Sequence, residues 1–283
     1  MNLVLQGPGA NLPALHLVAA LAQPARIVEL GPHALRCEQV DDALSTRQAV
    51  DIAAAAARID ATFIDATRRL ADFRLVAMDM DSTLITIECI DEIADMQGLK
   101  PQVSEITEAA MRGELDFSES LTRRVALLKG LDAGALQRVY DERLRMSMGG
   151  EAMLAAVKAA GLKTLLVSGG FTFFTERLQQ RLGLDFAHAN VLEIDGGKLT
   201  GRVVGGIVDA EEKMRTVQRV CAQTGIAAQQ AIVMGDGAND LRMMSVAGLS
   251  VAFRAKPVVR AQADVALNFS GLDGLVTILG SPS

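Results

Sequence analysis

The sequence predicts an α/β protein in two parts: a parallel-sheet core carrying an inserted helical cap, preceded by a small α+β module. Three observations lead there. From Phe73 onward, short continuous apolar runs recur, each ending in a polar or glycine-rich segment: LVAMDMDST, KTLLVSGG, QAIVMGDGAND and GLSVAF, with ADVALN as a fifth. A long helical stretch separates the first run from the second. Residues 1–70 follow a pattern of their own. The length of 283 residues suits about two domains of roughly 150 residues each.

In residues 1–70, NLVLQG and ARIVELG read as strands, LPALHLVAALA as a helix and ALRCEQV as a third strand. DALSTRQAVDIAAAAARIDATFIDATRRL reads as one long Ala-rich helix, which completes a βαββα pattern. No catalytic constellation appears there. Residues 71–283 form the second part. Strands buried on both faces read as unbroken apolar runs, so the five runs and the helices between them indicate a Rossmann-like parallel sheet. A crossover between parallel strands needs only one helix. Four amphipathic segments intervene instead: ECIDEIADMQG, VSEITEAAMRGEL, FSESLTRRVALLKG and DAGALQRVYDERLR. The surplus is an inserted cap over about 88–150, placed where it could close as a lid.

Composition excludes several classes. The net charge is −6, with no basic face for nucleic acid, and there is no Trp and one Tyr for base stacking. Cys37, Cys89 and Cys221 are far apart, so a reducing cytoplasm is expected and a disulfide or zinc framework is not. Three histidines make a His-based site unfavourable. No run of 18 apolar residues predicts a membrane span. The apolar start lacks the basic n-region of a signal peptide, its first basic residue being Arg26.

Ligands of parallel sheets bind beyond the carboxyl ends of the strands. Asp79, Asp81, Ser168, Gly169, Gly170, Asp236 and Asn239 all fall there. Asp79 and Asp81 are two apart, so one could attack while the other handles a proton; alone, they read equally as a capping and a surface Asp. MGDGAND adds Asp236, Asn239 and Asp240. An oxygen-only set of this kind suits Mg²⁺, although a turn with a helix cap would look the same. Ser168 before two glycines is a candidate anion cradle or an ordinary strand-to-helix turn. Lys213, by itself, is a solvated lysine.

Taken together and in this order, DMDST, SGG, Lys213 and GDGAND resemble the four motifs of the haloacid dehalogenase-like phosphatase (HAD) superfamily over roughly residues 73–280. DMDSTLITIECIDEIA, FSESLTRRVALLKG and VSGGF are similar, more narrowly, to the phosphoserine phosphatase family. The resemblance implies Mg²⁺-dependent hydrolysis of O-phospho-L-serine, the last step of serine biosynthesis. It implies Asp79 as nucleophile and Asp81 as general acid and base. Asp79, the Asp81 carbonyl and Asp236 would hold the metal. Ser168, Gly169, Gly170, Lys213 and Asn239 would bind phosphate, with Asp240 behind them. Glu88 and Arg124 match the positions for the substrate ammonium and carboxylate, and Met111 and Phe117 match apolar lid positions. Adjacent Arg123 competes with Arg124 for the role, since helical neighbours point about 100° apart. Residues 1–70 resemble the appended, ACT-like domain of longer members, implying a regulatory or oligomerisation module through which the chain could form a homodimer. Two alternatives stand beside this reading: a related phosphatase or phosphotransferase acting on phosphothreonine, homoserine or another small phosphomonoester, and a non-catalytic Mg²⁺ and phosphoserine sensor.

Overall fold

The computed structural model describes residues 1–111 and 114–280; the Met111 side chain lies outside the described residues. The chain opens with β1 (Asn2–Gln6), α1 (Leu12–Ala20), β2 (Arg26–Gly31), β3 (Ala34–Glu38), α2 (Leu44–Ala56) and β4 (Asp60–Ile64). These strands form an antiparallel sheet in the order β2-β3-β1-β4. Asn11 caps α1 by accepting the Ala14 N–H at 2.9 Å. Leu3, Leu5, Leu15, Val18, Val50 and Ile59 fill the space between sheet and helices.

The long Ala-rich helix expected after residue 43 is a correction. The helix stops at Ala56, Arg58 turns the chain with a φ of 56°, and DATFI becomes β4 paired with β1. The alternating burial along Asp60–Ile64 is the period of a half-buried strand. The alanine run before it dominated the sequence pattern and hid that switch. The element order is therefore βαββαβ.

The second sheet contains β5 (Leu75–Met78), β6 (Lys163–Phe171), β7 (Phe186–Asp195), β8 (Lys198–Val204), β9 (Ala231–Gly235), β10 (Leu249–Phe253) and β11 (Val265–Leu267). Its order is β11-β10-β9-β5-β6-β7-β8, and every pairing except β7 with β8 is parallel. The five expected strands are present. The β7–β8 hairpin was not predicted, although its turn residues Gly196 and Gly197 at φ 53° and 78° are the left-handed pair a tight hairpin needs. β5 is central, with Met78 level with Leu166 of β6 and Met234 of β9. That register puts Asp79, Ser168 and Asp236, each just past those residues, at one end of three neighbouring strands.

Between β5 and β6 run α3 (Cys89–Asp95), α4 (Lys100–Met111), α5 (Phe117–Leu127) and α6 (Gly134–Arg138), followed by α7 (Gly150–Ala159). The first four form the predicted cap. Its two linkers pair with each other: Ile85 bridges Met146, Thr86 N–H donates to the Arg145 carbonyl at 2.9 Å, and Ser147 N–H to the Leu84 carbonyl at 3.0 Å. Ile93, Val103, Leu121, Val125 and Leu136 join the same apolar cluster as Met78 and Met234, so the cap is seated on the core. Helices α8 (Thr172–Leu182), α9 (Ala210–Thr224), α10 (Leu241–Met244), α11 (Pro257–Arg260) and α12 (Gly274–Leu279) complete the fold. No helix among the described residues is long and apolar enough to cross a membrane.

The two sheets meet at a polar seam. The Asp60 carboxylate, 2% exposed, accepts the N–H groups of Asn268, Phe269 and Ser270 at 2.8 to 3.2 Å. Arg36 donates to the Thr277 and Ile278 carbonyls at the end of α12, and Gln6 to the Gly274 carbonyl at 3.1 Å.

Candidate active site

The apolar strand β5 drives Asp79 to the edge of the core, where it is 5% exposed. Its Oδ1 accepts the Met80 N–H at 2.7 Å and lies 2.8 Å from Lys213 Nζ. Asp209 caps α9 by accepting the Glu212 N–H at 2.9 Å, and this fixes Lys213 in the first turn of that helix. Lys213 is fully buried and also bonds Asp240 Oδ1 at 2.8 Å. Burial alone would lower its pKa; the carboxylates of Asp240 and Asp79 outweigh that and raise it. The lysine reads as solvated in isolation, and the fold makes it the central cation of the site.

Both oxygens of Asp240 are engaged. Its second oxygen accepts the N–H groups of Asp236 and Gly237 at 3.1 and 3.0 Å, so it clamps the GDG turn and Lys213 together. A side chain at Gly235 would run into that carboxylate at 2.3 Å. Carboxylate oxygens of Asp79, Asp236 and Asp240 lie within 4.8 Å of one another. Burial, then the charge of Asp240, pushes Asp79 well above the usual carboxylate range and Asp236 up to about 6. Such a cluster of hard oxygen donors fits a divalent cation such as Mg²⁺.

Asp81 differs from Asp79. Its Oδ1 is shut off from solvent and has no hydrogen-bond partner. Burial, then the Glu88 charge, raises its pKa to about 8, against hydrogen bonds from Cys89. The carboxyl is therefore protonated near neutrality. The next residue, Ser82, takes a φ of 55°, and its hydroxyl donates to Glu88 Oε1 at 2.6 Å.

On β6, Ser168 is 1% exposed and its Oγ accepts the Gly170 N–H at 2.8 Å. A Cβ on Gly169 would sit 2.8 Å from Phe117 Cζ, and one on Gly170 would sit 3.0 Å from Asp81 Oδ2. The glycines thus admit the cap from one side and the acid from the other.

The cap supplies the remaining groups. Asp116 caps α5 by accepting the Glu119 N–H at 2.8 Å, placing Phe117 at its start and Arg124 in its last turn. Arg123 is exposed and pairs with Glu119 at 2.6 Å, whereas Arg124 is half-buried and lines the cleft. Burial lowers the Arg124 pKa, while Asp91, Glu88 and Asp81 pull it back up. Glu88 opens onto the same cleft; loss of solvent raises its pKa, and the Ser82 hydrogen bond opposes this. The cleft, of about 1010 Å³, brings together Asp79, Asp81, Glu88, Phe117, Arg124, Ser168, Gly169, Gly170, Asp236 and Asn239. Lys213 and Asp240 lie beneath it. Met111 closes α4, and its side chain lies outside the described residues.

Three residues escaped the sequence reading. Ser82 sits inside the DMDST motif, yet its bond to Glu88 depends on a left-handed turn that sequence did not specify. Asn190, 1% exposed, donates to the Gly169 carbonyl at 2.8 Å and accepts the Val208 N–H at 2.8 Å, tying the glycines to the loop before Lys213. It lies on β7, a strand that was not predicted. Lys256 lines the cleft beside Asp236 and lies outside all four motifs.

Residues 76–245 match the family described as haloacid dehalogenase-like hydrolase, and the chain belongs to that family. Its relatives there are phosphoserine phosphatases. One from Polaromonas sp. is 57% identical over 216 residues, 75% of this chain and 92% of the relative. A solved structure described as a probable phosphoserine phosphatase from Vibrio cholerae, in unliganded form, is 36% identical with a TM-score of 0.84, covering 98% of this chain and 86% of its own. A phosphoserine phosphatase solved as a phospho-aspartyl intermediate analogue is 36% identical with a TM-score of 0.69, covering 74% of this chain and 99% of its own.

Proposed function

We propose that the protein hydrolyses O-phospho-L-serine to L-serine and phosphate through an aspartyl-phosphate on Asp79, the last step of serine biosynthesis. The observation that carries this reading is the asymmetry of the aspartate pair. Asp79 is fixed by Lys213 and the Met80 N–H, as a positioned nucleophile must be. Asp81 presents a carboxyl that is protonated at neutral pH and has one oxygen unpartnered, as a general acid requires.

Asp79 attacks phosphorus in line. The P–O bond to serine breaks as Asp81 gives its proton to the departing serine oxygen. Asp81 then takes a proton from the water that attacks the phospho-aspartate, releasing phosphate and restoring Asp79. Ser168, the glycine amides and Lys213 hold the phosphoryl oxygens. Asn239 adds a further polar contact. Glu88 takes the substrate ammonium and Arg124 its carboxylate, while Phe117 and Met111 exclude water. Asp79, Asp236 and the Asp81 carbonyl would hold Mg²⁺, whose charge would offset the repulsion between these acids and the phosphate dianion.

We also infer a division at about residue 70, with a cap insertion at about 88–150; the separate sheets and the paired cap linkers support it. The first seventy residues are read as a regulatory or oligomerisation module capable of homodimerising. The free, buried cysteines Cys37, Cys89 and Cys221 suit a cytoplasmic enzyme. Phosphate release from L-phosphoserine, with Mg²⁺ and with chelator, tests the activity. Wild type should turn over only with the metal, and Asp79→Asn should lose roughly 10⁴-fold or more while remaining folded. Full turnover by Asp79→Asn would refute the nucleophile, and phosphothreonine preferred over phosphoserine would refute the substrate.

A further inference from the structure

The cleft poses an electrostatic problem for a dianionic substrate. Its walls carry Asp79, Asp81, Glu88, Asp91 and Asp236. Lys213 offers little help during approach, since its side chain is inaccessible and already held between two carboxylates. Among the described residues lining the cleft, the remaining cations are Arg124 and Lys256. Arg124 belongs to the cap, with Nε directed at the Ser120 carbonyl 3.4 Å away, far along the chain from the GDGAND turn.

Lys256 stands on the other wall, with Asp236, Gly237, Ala238 and Asn239. Its backbone is fixed: its N–H donates to the Asp236 carbonyl at 3.2 Å, and its own carbonyl accepts the Val259 and Arg260 N–H groups at the start of α11. Pro257 in the first turn of α11 locks its own φ and restricts Lys256 before it to extended backbone. The side chain is exposed, and its ammonium has no hydrogen bond or ion pair among the described residues. Its charge already acts on Asp236, drawing that carboxyl down against the burial that raises it. A fixed backbone thus carries a solvent-facing cation, unpaired among the described residues, beside the Asp236 wall of an acidic cleft. A fixed charge of this kind concentrates an oppositely charged ligand at the cleft mouth and raises its rate of entrance.

We propose that Lys256 is the phosphate-capture residue of the cleft, the cation that draws the phosphate group in past the carboxylates and retains inorganic phosphate as it leaves. This rests on the reading of the substrate as a phosphomonoester. The role lies in encounter and product release, so its signature is a dependence on ionic strength rather than a loss of the chemical step.

Lys256→Gln and Lys256→Arg test it in the full-length, Mg²⁺-loaded protein. In Lys256→Gln, kcat/KM for phosphoserine at low salt should fall roughly three- to tenfold, with kcat changed less than about twofold. Its kcat/KM should also decline less steeply with added salt than that of wild type. Inhibition by inorganic phosphate should weaken in parallel, and Lys256→Arg should retain both properties. An unchanged salt slope and unchanged phosphate inhibition in Lys256→Gln would overturn the proposal. Absence of phosphoserine turnover in wild type would instead remove the substrate reading. Calorimetric titration with inorganic phosphate then decides on Lys256 alone: weaker binding by Lys256→Gln upholds the capture role, and equal binding overturns it.

Discussion

Two aspartates, one buried at the seam between the sheets and one half-buried in the cleft, have opposite surroundings. Asp60 accepts three backbone N–H groups and has both oxygens used. Asp81 keeps one oxygen enclosed and unpartnered. A carboxylate costs little to enclose when N–H donors replace its water, and much when they do not. The seam is therefore a place where charge serves cohesion. In the cleft, burial and the Glu88 charge raise the Asp81 pKa to about 8, which suits the proton transfer proposed for it. Burial by itself does not separate structural from reactive acids; the number of donors does.

Exchanging the two aspartates' roles by mutation is the sharpest test of that contrast. Asp81→Asn should lower phosphoserine turnover by about 10²- to 10⁴-fold. It should also stabilise the chelated protein. With its pKa raised to about 8 in the folded chain from 3.8, Asp81 holds more protons folded than unfolded between those values, so its contribution to stability worsens as pH rises through that window. The melting temperature of Asp81→Asn should thus match wild type near pH 4 and exceed it by a few degrees near pH 8. The same titration predicts that phosphorylation of Asp79, followed by single-turnover kinetics, slows as pH passes about 8. A melting difference that shrinks with pH would break the contrast.

Asp60→Ala should do the reverse. It leaves three N–H groups unmatched at the seam and should cost about 2–4 kcal/mol, read by urea denaturation, with kcat unchanged below the transition. Arg124→Ala should raise KM for phosphoserine about 10- to 100-fold, because a charged hydrogen-bonding partner is lost, and should leave KM for phosphoethanolamine nearly unchanged. The smallest effect belongs to Ser82→Ala, which frees Glu88. A KM increase of about three- to tenfold with little change in kcat is expected. If Ser82→Ala instead alters kcat as strongly as Asp81→Asn does, the hydroxyl acts on the proton transfer and not through Glu88.

Legibility in the sequence followed the range of the interactions. The five parallel strands could be read because each is an uninterrupted apolar run, a local property. Asp79, Asp81, Ser168 and Asp236 could be read because they end such runs. β4 was hidden by the alanine run before it, and the β7–β8 hairpin by strands whose partly exposed residues never form an apolar run. The partners of Asn190 lie 21 and 18 residues away, and the Glu88 contact of Ser82 needs a positive φ, so neither role had a local signature. The choice between Arg123 and Arg124 turned on which face of α5 meets the cleft, which only packing decides.

The seam also bears on how the molecule is made. Asp60 and the Asn268 N–H that it binds are 208 residues apart. At about 5–20 residues per second, the ribosome delivers the second roughly 10 to 40 s after the first. Throughout that interval the first sheet must keep Val4 and Ile64, which belong to the main apolar cluster, without their final cover. Residues 1–70 therefore leave the ribosome well before residue 268, and the Asp60 seam can close only after that later segment is made.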